Sequence, residues 1–201
     1  MAWIKTISYH EATGRLRQIY DRLKGPQGQI DNILLAHSLR PHGLEGHLGL
    51  YKNVLHHSAN HLDKWFLEAI GSWVSLLNRC DYCFNHHYHG MKRLIRDDGR
   101  AERIRQSFEQ GTPEQAFDEK QLLLLRYAEK LTLRAADVGE GDIAGLRDGG
   151  YNDGEILEAN QVIAYFNYAN RTVLGLGISL DGEKLGLSPN NIDNRDDWSH
   201  K

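Results

Sequence analysis

Sulfur is scarce in this chain of 201 residues, which has two cysteines and two methionines. Two cysteines only two residues apart cannot supply the multi-bridge framework that stabilises small secreted folds. No apolar run approaches the roughly 20 residues needed to span a bilayer. The first residues, "MAWIKTISYHEATG", contain no apolar stretch of the signal-peptide kind. Basic residues are also in deficit: 24 Lys and Arg against 27 Asp and Glu, with no long basic run. That balance argues against a nucleic-acid surface. Sustained period-two alternation is absent, as is any repeat of solenoid length. These absences leave a cytoplasmic globular protein, bound neither to membrane nor to nucleic acid. Its length suffices for one domain with a sizeable core.

Helical periodicity is what the chain does have. In "EATGRLRQIYDRLKG", Ala12, Leu16, Ile19, Tyr20 and Leu23 fall on one face, and Gly25-Pro26 ends the run. "DNILLAHSLRP" is predicted helical from an Asp31 cap, and "GLEGHLGLYKNVLHH" forms a weaker helix diluted by glycine. Residues 62–77, "LDKWFLEAIGSWVSLL", are apolar nearly all round and predict a buried helix. A further helix is expected from Arg79 to about Ile95, with Asn78 as its N-cap. "DEKQLLLLRYAEKLTLRA" and "GEILEANQVIAYFNYANRTVLGLG" are amphipathic, the latter capped by Asn152 or Asp153. The expected fold is an all-α, single-domain helical bundle over residues 1–180. A polar C-terminal arm, 181–201, should lie over a neighbouring subunit, with Trp198 as the residue favouring that seat.

Both cysteines fall in "NRCDYCFNHHYHG", residues 78–90, together with His86, His87 and His89. On a helix Cys80, Cys83 and His87 share one face, and the two sulfurs are close enough to join. A helix N-terminus stabilises a thiolate, and His87, one turn beyond Cys83, can take or relay a proton. Those are the needs of a dithiol that attacks an electrophile and then closes to a disulfide. Zinc is the competing reading, but one straight helix wraps a tetrahedron poorly, and His56, His57 and His61 have no spacing that demands a metal. His86 and His89 are expected on other faces, as surface or interface histidines.

Glu68 sits inside "WFLEAI", where an ionised carboxylate needs a partner. It is either a structural anion paired with an arginine or a base held near a thiol. A chain break near Asn78 would let two packed helices bring it to the cysteines. Asn167, Asn170 and Arg171 of "FNYANR" either face that site or satisfy one another at a subunit contact, and the structural role is favoured.

Taken together, Glu68, eleven residues, Cys80-x-x-Cys83, three residues and His87 resemble the E-x11-C-x2-C-x3-H signature of the AhpD-like alkylhydroperoxidase / carboxymuconolactone decarboxylase family. "EATGRLRQIYDRL", "LLAHSLRPHGLEGHLGLYKNVL" and "YFNYANRTVLGLGI" resemble its longer, peroxidase-related subgroup. The resemblance implies an all-helical fold assembling into trimers or hexamers. It also implies a thiol peroxidase in which Cys83 attacks the hydroperoxide, Cys80 resolves to a disulfide and faces the donor, and Glu68 and His87 relay protons. No bound cofactor is implied; electrons would come from an external thiol or dihydrolipoamide-type reductant. Arg79 replaces the family's glycine before the first cysteine. Tyr82 stands where the best-known members carry histidine, and with a pKa of about 10 it is a poor base at neutral pH. Two other readings remain: a muconolactone-type decarboxylase, whose branch generally needs no CxxC pair, and a non-catalytic redox- or metal-sensing oligomer.

Overall fold

The computed structural model describes residues 2–24 and 29–187, together with residues 189, 193, 194 and 197. The expected stop at Gly25-Pro26 and the expected contact of Trp198 lie outside them. Among the described residues nine α-helices carry the fold. Three N-terminal helices, α1 (Gly14–Leu23), α2 (Asn32–Ala36) and α3 (Pro41–Tyr51), form one layer. Ala12, Leu16, Ile19, Tyr20 and Leu23 are all buried there against Leu34, Leu44 and Leu48. The third helix begins earlier than its glycines suggest, because Pro41 occupies its first turn, where a missing N–H costs nothing. It continues into a π-helical turn, Lys52–His56, which carries Val54, Leu55 and His56 inward.

The main core is built on α4 (Lys64–Leu77) and α5 (Asp81–Ile95), an antiparallel hairpin, flanked by α7 (Glu119–Leu133) and the long α9 (Asp153–Leu176). Helices α6 (Asp98–Glu109) and α8 (Glu140–Asp148) close its periphery. The α4 helix is buried from Phe66 to Ser75, as its unbroken apolar character predicts. Capping boxes start α7 at Asp118 with Gln121 and α9 at Asn152 with Glu155, satisfying N–H groups that a helix leaves orphaned. Where α4 meets α9, a Cβ on Gly71 would sit 2.2 Å from the Phe166 ring, so the helices approach at a distance only glycine permits.

The turn between α4 and α5 differs from expectation. Asn78 keeps helical dihedrals as the last half-turn of α4, and Arg79 takes a left-handed φ of 56°. Arg79 N–H donates to the Leu76 carbonyl (2.9 Å) and Cys80 N–H to the Ser75 carbonyl (2.8 Å). This is a Schellman ending, and its left-handed position is one that glycine fills without strain. Asn78 therefore finishes one helix instead of starting the next. Cys80 itself is the N-cap of α5, and Cys83 is its third residue.

No helix among the described residues is long and apolar enough to cross a membrane. The described arm residues make several contacts within their own chain. Glu183 reaches Tyr82 and His86, and Arg93 donates to the Gly186 carbonyl (2.5 Å). Lys52 donates to the carbonyls of Asn194 and Asp197.

Candidate functional site

The antiparallel pairing of α4 and α5 sets Glu68 beside His87 and Gly90. Glu68 is 3% exposed, and its Oε2 accepts from His87 Nδ1 at 2.7 Å. A carboxylate only accepts, so this bond takes a proton on Nδ1 and leaves Nε2 turned away from Glu68. On its other side, Glu68 Oε1 is 3.9 Å from His56 Nε2. A Cβ on Gly90 would come within 3.0 Å of Glu68 Oε1, so this glycine gives the carboxylate its room. The partner of Glu68 is thus histidine, where the structural alternative had supposed arginine. His56 was not separable in the sequence from its neighbours His57 and His61, since only the π-helical turn directs it inward.

Glu68, His87 and Cys83 line one cavity of about 70 Å³. Cys80 is not among its lining residues. Both cysteines are free thiols, 1% and 3% exposed for Cys80 and Cys83. The surface exposure expected for Cys80 is therefore not found: it packs with Ala36, Val173 and Ile178. Hydrogen bonding from Cys83 draws the Cys80 thiol below its ordinary pKa, against the opposing pull of burial. Burial pushes Cys83 well above its ordinary value, reinforced by its hydrogen bond to Cys80. Of the two thiols, Cys80 is therefore the more acidic.

Asn170 of α9 is the residue whose role the sequence placed least well. Fully buried, it donates to Ser75 Oγ (3.1 Å) and accepts from Asn78 Nδ2 (2.9 Å), and its amide draws the pKa of both thiols down. Asn167 accepts from the same Asn78 amide (3.0 Å) and from Arg171 (2.7 Å). The two readings of "FNYANR" are thus divided along the helix: Asn170 meets the dithiol, while Asn167 and Arg171 satisfy each other.

Tyr82 lines the cavity, but its one O–H donates to Glu183 Oε1 (2.8 Å), and burial pushes its pKa well above the phenol range. His86, expected on the surface, also lines the cavity, and its Nε2 is 3.0 Å from Glu183 Oε2. The remaining lining includes Asp31, His47, Tyr51 and Tyr165. Among the described residues no group of three or more His, Cys, Asp or Glu side chains is arranged to hold a metal ion.

No family profile matches the chain, and no curated protein matches its sequence. Solved structures do. A peroxidase-related protein from Silicibacter sp. TM1040 is 26% identical over 76% of this chain and 77% of that one, with a TM-score of 0.67. An alkylhydroperoxidase AhpD core, a peroxidase-related protein from Ralstonia eutropha JMP134, superposes at a TM-score of 0.75 with 19% identity, covering 90% and 93%. The debrominase Bmp8 in complex with 2,3,4-tribromopyrrole gives a TM-score of 0.63 at 20% identity, with 84% of each chain covered.

Proposed function

We propose, from the premise that this chain is AhpD-like, that it is a thiol-dependent peroxidase acting through Cys83 and Cys80. One observation carries the reading: Cys83 opens into the same small cavity as a histidine already oriented by a buried carboxylate. Because burial holds Cys83 protonated, attack needs a base at the moment of reaction. His87 is that base, with Nδ1 fixed by Glu68 and Nε2 turned away from it. It takes the Cys83 proton as sulfur attacks the terminal peroxide oxygen, and returns it to the departing alkoxide. Cys83 becomes a sulfenic acid and the hydroperoxide an alcohol. Cys80, the more acidic thiol, then attacks the Cys83 sulfur; the disulfide forms and water leaves. Two electrons from an external thiol or dihydrolipoamide-type donor regenerate the pair. Since Cys80 is buried, that donor reaches the disulfide only if the Ile178 segment yields. Tyr82, whose proton is committed to Glu183, shapes the cavity and takes no part in the relay.

The test is peroxide consumption by the purified full chain with dihydrolipoamide and with a small monothiol as donors. Turnover that disappears in Cys83→Ser supports the reading. No turnover with either donor, or stoichiometric metal with unreactive thiols, contradicts it. A bromopyrrole belongs in the same assay, because debromination without peroxide turnover would move the chain to the chemistry named for Bmp8. The cytoplasm, with its thiol reductants, is the proposed compartment. A homo-oligomer is proposed as well, supported by Leu133 and Leu157, 54% and 56% exposed on α7 and α9. Light scattering that returns a monomer of 22.9 kDa would refute it.

A further inference from the structure

The cavity has a part that the peroxidase chemistry does not use. His47 of α3 lines it and is 5% exposed, and its Nδ1 has no hydrogen-bond partner among the described residues. Its ring stacks on His37 at 4.7 Å and lies near Tyr165 and Tyr168, with centroids 5.8 and 5.9 Å away. Burial, helped by His37, holds its pKa down to about 3, so it is a neutral imidazole at physiological pH. A neutral imidazole offers one donor and one acceptor. Buried polar groups nearly always find a partner, and this one, on a side chain that lines the cavity, has none.

The charge of the lining narrows the ligand. Asp31 and Glu68 both face the cavity, and Glu183 is bonded to two further lining residues, Tyr82 and His86. Among the described residues no lysine or arginine lines it. An anion entering here would lose its hydration and meet carboxylates with no lysine or arginine beside them. Size narrows it again. At about 70 Å³ the space is about half of an apolar cavity that accepts benzene, roughly 150 Å³.

We infer that His47 is a substrate-contacting residue, that it hydrogen-bonds the peroxide end of a small uncharged hydroperoxide, and that the cavity rejects anionic peroxides. This rests on the peroxidase reading above. A hydroperoxide donates through its terminal O–H and accepts on either oxygen, which matches what a neutral imidazole can give and take.

The experiment compares ethyl hydroperoxide with an analogue carrying one carboxylate, using the full-length protein, dihydrolipoamide and neutral pH. The wild type should favour the uncharged peroxide by tenfold or more in kcat/KM. His47→Phe should raise KM for ethyl hydroperoxide about tenfold with little change in kcat, the usual worth of one hydrogen bond to a neutral group. It should also melt no lower than the wild type, since it removes a buried group whose bond is unmade. His47→Gln, still a neutral donor and acceptor, should keep most of the wild-type KM. If the wild type turns over both peroxides equally, or if both substitutions leave KM unmoved, this inference falls while the peroxidase reading stands. If the wild type consumes neither peroxide, both fall.

Discussion

The cavity has two sides built by different means. On α4 and α5, Glu68, Cys83 and His87 come from two consecutive helices whose register is set by one tight turn. The other side draws on the N-cap of α2, the middle of α3, α9 and the arm, bringing together Asp31, His47, Tyr165 and Leu187 from distant parts of the chain. On the first side a carboxylate and a histidine bond each other across the hairpin; the second contains a buried histidine nitrogen without a partner among the described residues. The difference teaches where the chemistry and the choice of substrate reside. Reactive groups need fixed mutual geometry, which a local hairpin gives. Recognition leaves bonds open for a ligand to complete.

The sharpest way to break this division is to remove the charge on the paired side. Glu68→Gln should lower peroxidase turnover by roughly 10²–10⁴-fold, the range typical of general acid–base catalysis, while the helices stay folded. A normal rate with a large drop in melting temperature would instead make Glu68 a structural anion.

On the open side the largest effect is on stability against pH. His47 has a folded pKa of about 3, below its ordinary value, so its contribution is full above about 6.5 and is lost as pH falls towards 3. Asp31 is raised by burial to about 6, so its contribution runs the opposite way, full below about 3.8 and lost as pH rises through 6. Between about pH 6 and 4 the two slopes oppose each other. Relative to wild type, His47→Gln should therefore gain about 1.4 kcal/mol per pH unit on acidification through that window. Urea unfolding at several pH values measures it; parallel curves for the two proteins would contradict the neutral burial of His47.

A smaller effect tests how tightly the hairpin holds its carboxylate. Gly90→Ala places a methyl group 3.0 Å from Glu68 Oε1, so the carboxylate must shift by a few tenths of an ångström. Turnover should fall about tenfold, as misplacement in an active site does, while a stopped-flow binding step is spared. The smallest effect lies in the turn. Arg79→Gly relieves a left-handed residue and should raise stability by about 0.5–1 kcal/mol, seen as a higher melting temperature.

Legibility follows the same division. The helices of the core, the burial of α4 and the spacing of Glu68, Cys80, Cys83 and His87 were all readable, because each depends on periodicity or on separation along the chain. Asn78 was misread because asparagine suits an N-cap and also suits the end of a helix. What decided between them was the left-handed φ at Arg79, which an arginine does not advertise. That two-residue shift makes Cys80 the cap itself. His56 as a neighbour of Glu68 and His86 as a cavity group were unreadable for a related reason. The first depends on a π-helical turn, and the second on an arm carboxylate, Glu183, that is 97 residues away in the chain. Asn170 was legible as a polar break in an apolar helix, but the thiols it meets lie on another element.

The most direct test of the account maps the sulfenic acid. Cys80→Ser protein treated with one equivalent of hydroperoxide and a sulfenate-trapping dione, then digested for mass spectrometry, should carry the adduct on Cys83. The Cys83→Ser protein should carry none. An adduct on Cys80 in the Cys83→Ser protein, formed as fast as the wild type consumes peroxide, would show that the more acidic thiol attacks and that the cavity does not govern which sulfur reacts.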